Sequence, residues 1–119
     1  MFATIATQAA FLYGEEWRKE MLSYIEENIR FVEKFCHEHI PQIFPVRPQA
    51  SYLVWLDCRG LGLEQDKLVS LFVDQAGLAL NDGSIFGQEG NGFMRLNVGC
   101  PLSVLRQAFE QLRQAVDKR

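Results

Sequence analysis

The residues of this chain best suited to chemistry lie in one run near its C-terminal end, Phe93-Met94-Arg95-Leu96-Asn97-Val98. A two-residue period sends Met94, Leu96 and Val98 to one face and Phe93, Arg95 and Asn97 to the other. An arginine in mid-strand, flanked by an aromatic and an amide, suits a planar carboxylate, which it meets through two parallel charge-assisted hydrogen bonds. Each such bond contributes about 1.5–3 kcal/mol net. Spacing alone leaves two other fates open for Arg95: an ion pair with an internal acid such as Asp57 or Asp82, or a side chain lying in solvent.

The stretch before this run, Asn81–Gly92, is rich in glycine, with Gly83, Gly87, Gly90 and Gly92. Glycine-rich loops that cradle phosphate run from a strand into a helix N-terminus, where free amides and the dipole meet the anion. This one runs strand to strand without either familiar spacing, so it reads as a loop needing positive φ and close backbone approach beside a ligand or partner. His37 and His39 sit two apart near a helix end, on different faces, with Cys36 adjacent, and no metal site is expected. Lys19, Lys34, Lys67 and Lys118 all fall on polar helix faces, and none is placed as a desolvated amine for Schiff-base chemistry. No Ser-His-Asp or Cys-His grouping is present, so no catalytic residue is assigned.

Around these residues the periodicity predicts their supports. A short helix covers Ala3–Tyr13 and ends at Gly14. A long one follows, with Trp17, Met21, Ile25, Asn28, Val32 and Phe35 as its inward stripe, and Pro41 closes it. Pro45 and Pro48 make an extended connector. Ala50–Asp57 reads as a strand, apolar on both sides and so covered on both. Arg59–Gly62 is a turn, and Glu64–Ala76 a helix with Val69, Phe72, Val73 and Ala76 inward and Gly77 as its stop. Leu78–Leu80 and Phe93–Val98 are strands. Pro101 starts a last helix that buries Leu105, Ala108, Phe109, Leu112 and Val116. The order implies an α+β fold, a small and mostly antiparallel sheet covered by helices, with a long helix near the N-terminus.

At 119 residues the chain is one domain, large enough to fold without a metal or disulfide. It is 48% hydrophobic and 23% charged with a net charge of -3, which places it among globular proteins and argues against a nucleic-acid partner or an anionic membrane surface. No apolar run reaches the roughly 18–20 residues that cross a bilayer, and no basic region precedes the apolar N-terminus as in a signal peptide. Cys36, Cys58 and Cys100 are odd in number and widely spaced, which fits reduced thiols in a cytoplasmic protein. Phe2, Ile5, Phe11, Leu12 and Tyr13 exceed what a short helix can bury against so small a sheet, and read as a surface that packs on something else.

Together these segments resemble the C-terminal small domain of fold-type-I pyridoxal-phosphate enzymes, the class I/II aminotransferases, and within them the cystathionine β-lyase (C–S lyase) branch. The stretches that carry the resemblance are A-T-Q-A-A-F-L-Y-G-E-E-W through Y-I-E-E-N, then S-Y-L-V-W-L-D-C-R, then N-D-G-S-I-F-G-Q-E-G-N-G-F-M-R-L-N-V-G-C-P. Essentially the whole chain is covered, and the last stretch is the specific one. The resemblance implies that Arg95 binds the substrate α-carboxylate, with Asn97, Gly83, Phe86 and Gly87 as further substrate-binding candidates. It also implies that residues 1–40 are a linking helical segment and 41–119 the small domain. The cofactor lysine and phosphate-binding groups would belong to a large domain absent from these residues. Pyridoxal phosphate is then the cofactor of the full-length enzyme, with none expected on this chain alone, which should be inactive. The expected partners are a sulfur amino acid, the missing large domain and a second copy, joined through the N-terminal apolar segment. The alternative is a stand-alone, non-catalytic carboxylate-binding or protein-interaction module derived from such a domain.

Overall fold

The computed structural model describes all residues from Met1 to Arg119. Helix α1 (Phe2–Tyr13) ends at Gly14, and α2 (Glu15–His39) follows at once. Acidic Glu15 and Glu16 sit in the first turn of α2, and His37 and His39 in its last, which suits the helix dipole at both ends. After Pro41 come β1 (Phe44–Val46) and β2 (Leu53–Asp57), a single 3₁₀ turn at Arg59–Leu61, and α3 (Gln65–Ser70). Next are β3 (Asn81–Asp82), two 3₁₀ turns over Gly83–Phe86 and Gln88–Gly90, β4 (Phe93–Asn97) and α4 (Leu102–Asp117). The four strands form one antiparallel sheet in the order β1-β2-β4-β3, so the expected α+β class holds.

The alternation read in the sequence decides which face is covered. Val54, Leu56, Met94 and Leu96 are buried against a helical layer. That layer is Ile29, Val32 and Cys36 of α2, Leu68, Leu71 and Phe72 of the third helix, and Leu105, Phe109, Leu112 and Ala115 of α4. Burying a side chain such as Phe72 or Phe109 contributes about 1.5–3 kcal/mol each. The inward stripe of α2 begins later than its periodicity suggests, because Trp17 is 67% exposed and full burial starts at Asn28. In α4, Ala108 and Val116 are half-buried and Ala115 takes the inner position.

Several expectations are corrected. The prolines of the connector do not keep it out of the sheet, since Phe44–Val46 pairs with Trp55–Asp57 as an edge strand where Pro45 needs no ladder donor. The third helix does not run on as an α-helix: Leu71–Gln75 is a π-helical turn. The extra residue in that turn shifts the helical phase, so Phe72 and Ala76 stay inward while Val73 turns out to 42% exposure. No strand forms at Leu78–Leu80, and the pairing occurs one step later at Asn81–Asp82. The second face of the Ala50–Asp57 strand is not closed by this chain, because Leu53, Trp55 and Asp57 remain half-buried.

Helix α1 buries no residue. Phe2 and Phe11 are 88% and 86% exposed, and Ile5, Leu12 and Tyr13 are also exposed. No helix is long and apolar enough to cross a membrane.

Candidate functional site

Strand β4 presents Phe93, Arg95 and Asn97 on the face that the helices leave open. In register, Arg95 lies between Trp55 of β2 and Asn81 of β3. Its Nη2 donates a hydrogen bond of 3.0 Å to Asn81 Oδ1. The guanidinium stacks on the ring of Phe86, 4.5 Å from its centroid. Trp55 meets the same ring edge-on at 5.5 Å and Phe93 at 6.1 Å, so an aromatic wall backs the arginine. Arg95 Nε is buried without a partner.

Neither internal acid takes this arginine. Asp57 is bound by Arg59, with Nε to Oδ1 at 2.9 Å and Nη2 to Oδ2 at 2.6 Å. These bonds hold the Asp57 carboxyl below the usual range. Asp82 Oδ1 accepts the Ser84 amide and hydroxyl at 2.8 Å each, and Gln65 Nε2 at 2.5 Å. Burial raises its affinity for a proton, but the bonds from Ser84 and Gln65 outweigh this and the carboxyl titrates below its ordinary value. No Asp or Glu is ion-paired with Arg95.

The loop that carries Phe86 owes its shape to three glycines and one glutamine. A Cβ on Gly83 would fall on Gly90 O, and a Cβ on Gly90 on Gly83 O, so the two short turns pack backbone against backbone. Gly87, at φ 133, then makes a bend that a side chain disfavours. Gln65, at the start of α3, spans the base of the loop: its Oε1 accepts Gly92 N–H at 2.6 Å while its Nε2 reaches Asp82. Sequence periodicity gives no hint of Gln65, because a polar residue in a first helical turn looks like any other.

Of the sequence candidates, Phe86 and Arg95 touch, while Gly83 and Gly87 shape the turn that brings them together. Asn97 is not with them. Its Oδ1 accepts Gly99 N–H at 2.8 Å, and it lines a separate hollow of about 510 Å³ with Trp17, Tyr24, Tyr52 and Cys100 among others. Beside Phe86 lies a hollow of about 360 Å³ lined by Val46, Trp55, Phe86, Glu89, Gly90 and Phe93. His37 and His39 are exposed, and no cluster of His, Cys, Asp and Glu is able to hold a metal. All four lysines are exposed. The three cysteines are free. Burial pushes the Cys36 thiol up to about 12 and raises Cys58 and Cys100 as well, so none is an activated thiolate.

No protein-family model matches the chain. It is 36% identical over 115 residues to cystathionine beta-lyase PatB of Bacillus subtilis, covering 97% of this chain and 30% of that protein. The fold superimposes with a TM-score of 0.92 and 37% identity on a PLP-bound putative aminotransferase from Clostridium difficile 630, over 97% of this chain and 30% of the other. A putative PLP-dependent beta-cystathionase from Corynebacterium diphtheriae gives a TM-score of 0.85 at 33% identity, over 95% and 30%. The chain thus spans about 30% of the length of the relatives it matches.

Proposed function

Because the sequence and fold of this chain match the C-terminal domain of the fold-type-I pyridoxal-phosphate cystathionine β-lyases and C–S lyases, we propose that it serves as the small domain of a C–S lyase or aminotransferase in which Arg95 holds the substrate α-carboxylate. Residues 1–40 are its linking helical segment and 41–119 the small domain. The observation that carries this reading is a guanidinium whose charge no carboxylate of the chain compensates, on a sheet face the helices leave open. An amino acid's acid end supplies what is missing: two oxygens in a plane, matched to the arginine fork. The aromatic wall of Phe86, Trp55 and Phe93 excludes water from one side, which strengthens the bonds.

The same face does not fit the cofactor itself. It offers no lysine, and the hollow beside Phe86 has no cation for a phosphate and carries Glu89, which repels one. Pyridoxal phosphate, which supplies the electron sink for chemistry at the amino acid's Cα, is then held by a large domain of a longer protein. What this chain contributes is orientation: a carboxylate fixed at Arg95 sets which Cα bond faces the cofactor. Asn97 belongs to this reading only through its neighbouring hollow. The exposed apolar side chains of α1 pack on the remainder of the longer protein, and on a second copy when this chain stands alone. The substrate is a sulfur amino acid, and three free thiols support a reducing, cytoplasmic setting.

The test is kinetic, in the full-length enzyme. Arg95→Ala removes two charge-assisted bonds of about 1.5–3 kcal/mol each, so kcat/KM should fall about 10²–10⁴-fold. Arg95→Lys should restore only part, since a point charge makes no planar fork. Wild-type kinetics in both variants overturn the assignment.

A further inference from the structure

Arg95 is oriented entirely by neutral groups. Nη2 donates its hydrogen bond to an amide oxygen, and the contact on the guanidinium face is with a phenyl ring. The two acids nearest along the strands are both engaged elsewhere, Asp57 by Arg59 and Asp82 by Ser84 and Gln65. Nε is buried without a partner and Nη2 is held by Asn81, which leaves Nη1 and the second hydrogen of Nη2 for an incoming carboxylate. Resting on the substrate reading above, we propose that Asn81 and Phe86 are positioning residues: together they form a neutral clamp that orients the Arg95 fork while leaving its charge for the incoming carboxylate.

Each part of the clamp has its own support. Asn81 is the register partner of Arg95 in the β3–β4 ladder, so its amide oxygen is delivered to Nη2 by backbone pairing. Phe86, 49% exposed, is braced on one side by Trp55, edge-on at 5.5 Å, and its turn is shaped by the Gly83–Gly90 contact. An acid at position 81 would occupy the same space, meet Nη2 at the same place, and form an ion pair that competes with substrate. A neutral acceptor avoids that self-inhibition while still removing the rotational freedom of a long side chain.

The isosteric change Asn81→Asp separates this role from a structural one. It is measured in the full-length enzyme loaded with pyridoxal phosphate, by the KM for L-cystathionine and the inhibition constant of 3-(methylthio)propionate, a carboxylate without an amine. The clamp predicts that Asn81→Asp raises both constants about tenfold or more, and more than Asn81→Ala does, with the loss falling in KM and not kcat. A group that only fills space predicts the reverse order, because Asp keeps the shape of Asn and Ala does not. Phe86→Leu should raise both constants and Phe86→Trp should preserve them, and this pair carries the test if Asn81→Asp fails to fold. Asn81→Asp no worse than Asn81→Ala, or Phe86→Leu indistinguishable from wild type, overturns the clamp. Arg95→Ala is run alongside: if it leaves both constants unchanged, the substrate reading itself has failed, whereas a rise there with no effect at positions 81 and 86 refutes the clamp alone.

Discussion

Asn28 is completely buried in mid-helix, which is the wrong place for an amide unless it ties two elements together. Its Nδ2 donates to Val98 O and Cys100 O, each at 2.9 Å, and so fastens α2 to the segment that leaves β4 and enters α4. Its Oδ1 has no partner, so the stabilising contribution lies in the two donated bonds. Asn28→Ala removes two bonds of about 0.5–1.5 kcal/mol net each, and leaves Val98 O unpaired in the core at a cost of about 1–3 kcal/mol. The sum, about 2–6 kcal/mol, is a large part of the stability of a domain this size. At about 4 °C per kcal/mol, Tm should fall by about 8–24 °C. Asn28→Asp should be worse, because it sets oxygens against two carbonyl oxygens and buries a carboxyl group. Urea unfolding followed by circular dichroism gives the free energies, and thermal melts the second measure. A loss under about 1 kcal/mol for Ala, or an Asp variant no worse than Ala, refutes the reasoning.

The buried thiols make stability fall in alkali. The folded state holds Cys36 at about 12 and raises Cys58 as well, whereas a cysteine in the unfolded chain ionises near its ordinary value, so the unfolded chain gains a stabilising ionisation first. This stability is complete below about pH 8.5 and is lost as pH climbs toward the folded value, at about 1.4 kcal/mol per pH unit for each thiol. Unfolding of Cys36→Ala should show a shallower alkaline slope than wild type, and an equal slope contradicts the assignment. The isolated chain should also self-associate in sedimentation velocity. Phe2→Ser with Phe11→Ser should restore a monomer, while a wild-type monomer at the same loading would remove α1 as the contact.

The parts of this fold legible in the sequence are those where one residue period persists. Phe93–Val98 alternates cleanly, and the structure puts Met94, Leu96 and Val98 in the core as that alternation requires. Helices α2 and α4 hold the expected phase through their middles, from Asn28 to Cys36 and from Leu105 to Leu112, and depart from it at Trp17 and at Val116. The third helix did not, because a π-helical turn changes the period in its middle and no side chain announces it. Strand β1 was hidden by Pro45, which is tolerated only because the strand lies at an edge. At the site, alternation identified the face of Arg95, but Asn81, Gln65 and the diversion of Asp57 to Arg59 depend on contacts between segments far apart in the chain, or on rotamers, that no local pattern encodes. Asn97 shows the converse: it shares the strand face with Arg95 yet turns its amide back onto Gly99.

The proposed carboxylate role of Arg95 is tested most directly by a structure of the longer protein that contains this chain, with an amino-acid analogue bound. Both carboxylate oxygens are expected at about 2.7–2.9 Å from Arg95 nitrogens, with Phe86 still stacked on the guanidinium and Asn81 still on Nη2. A carboxylate held by other residues, with Arg95 turned away or paired with an acid of the protein, contradicts it.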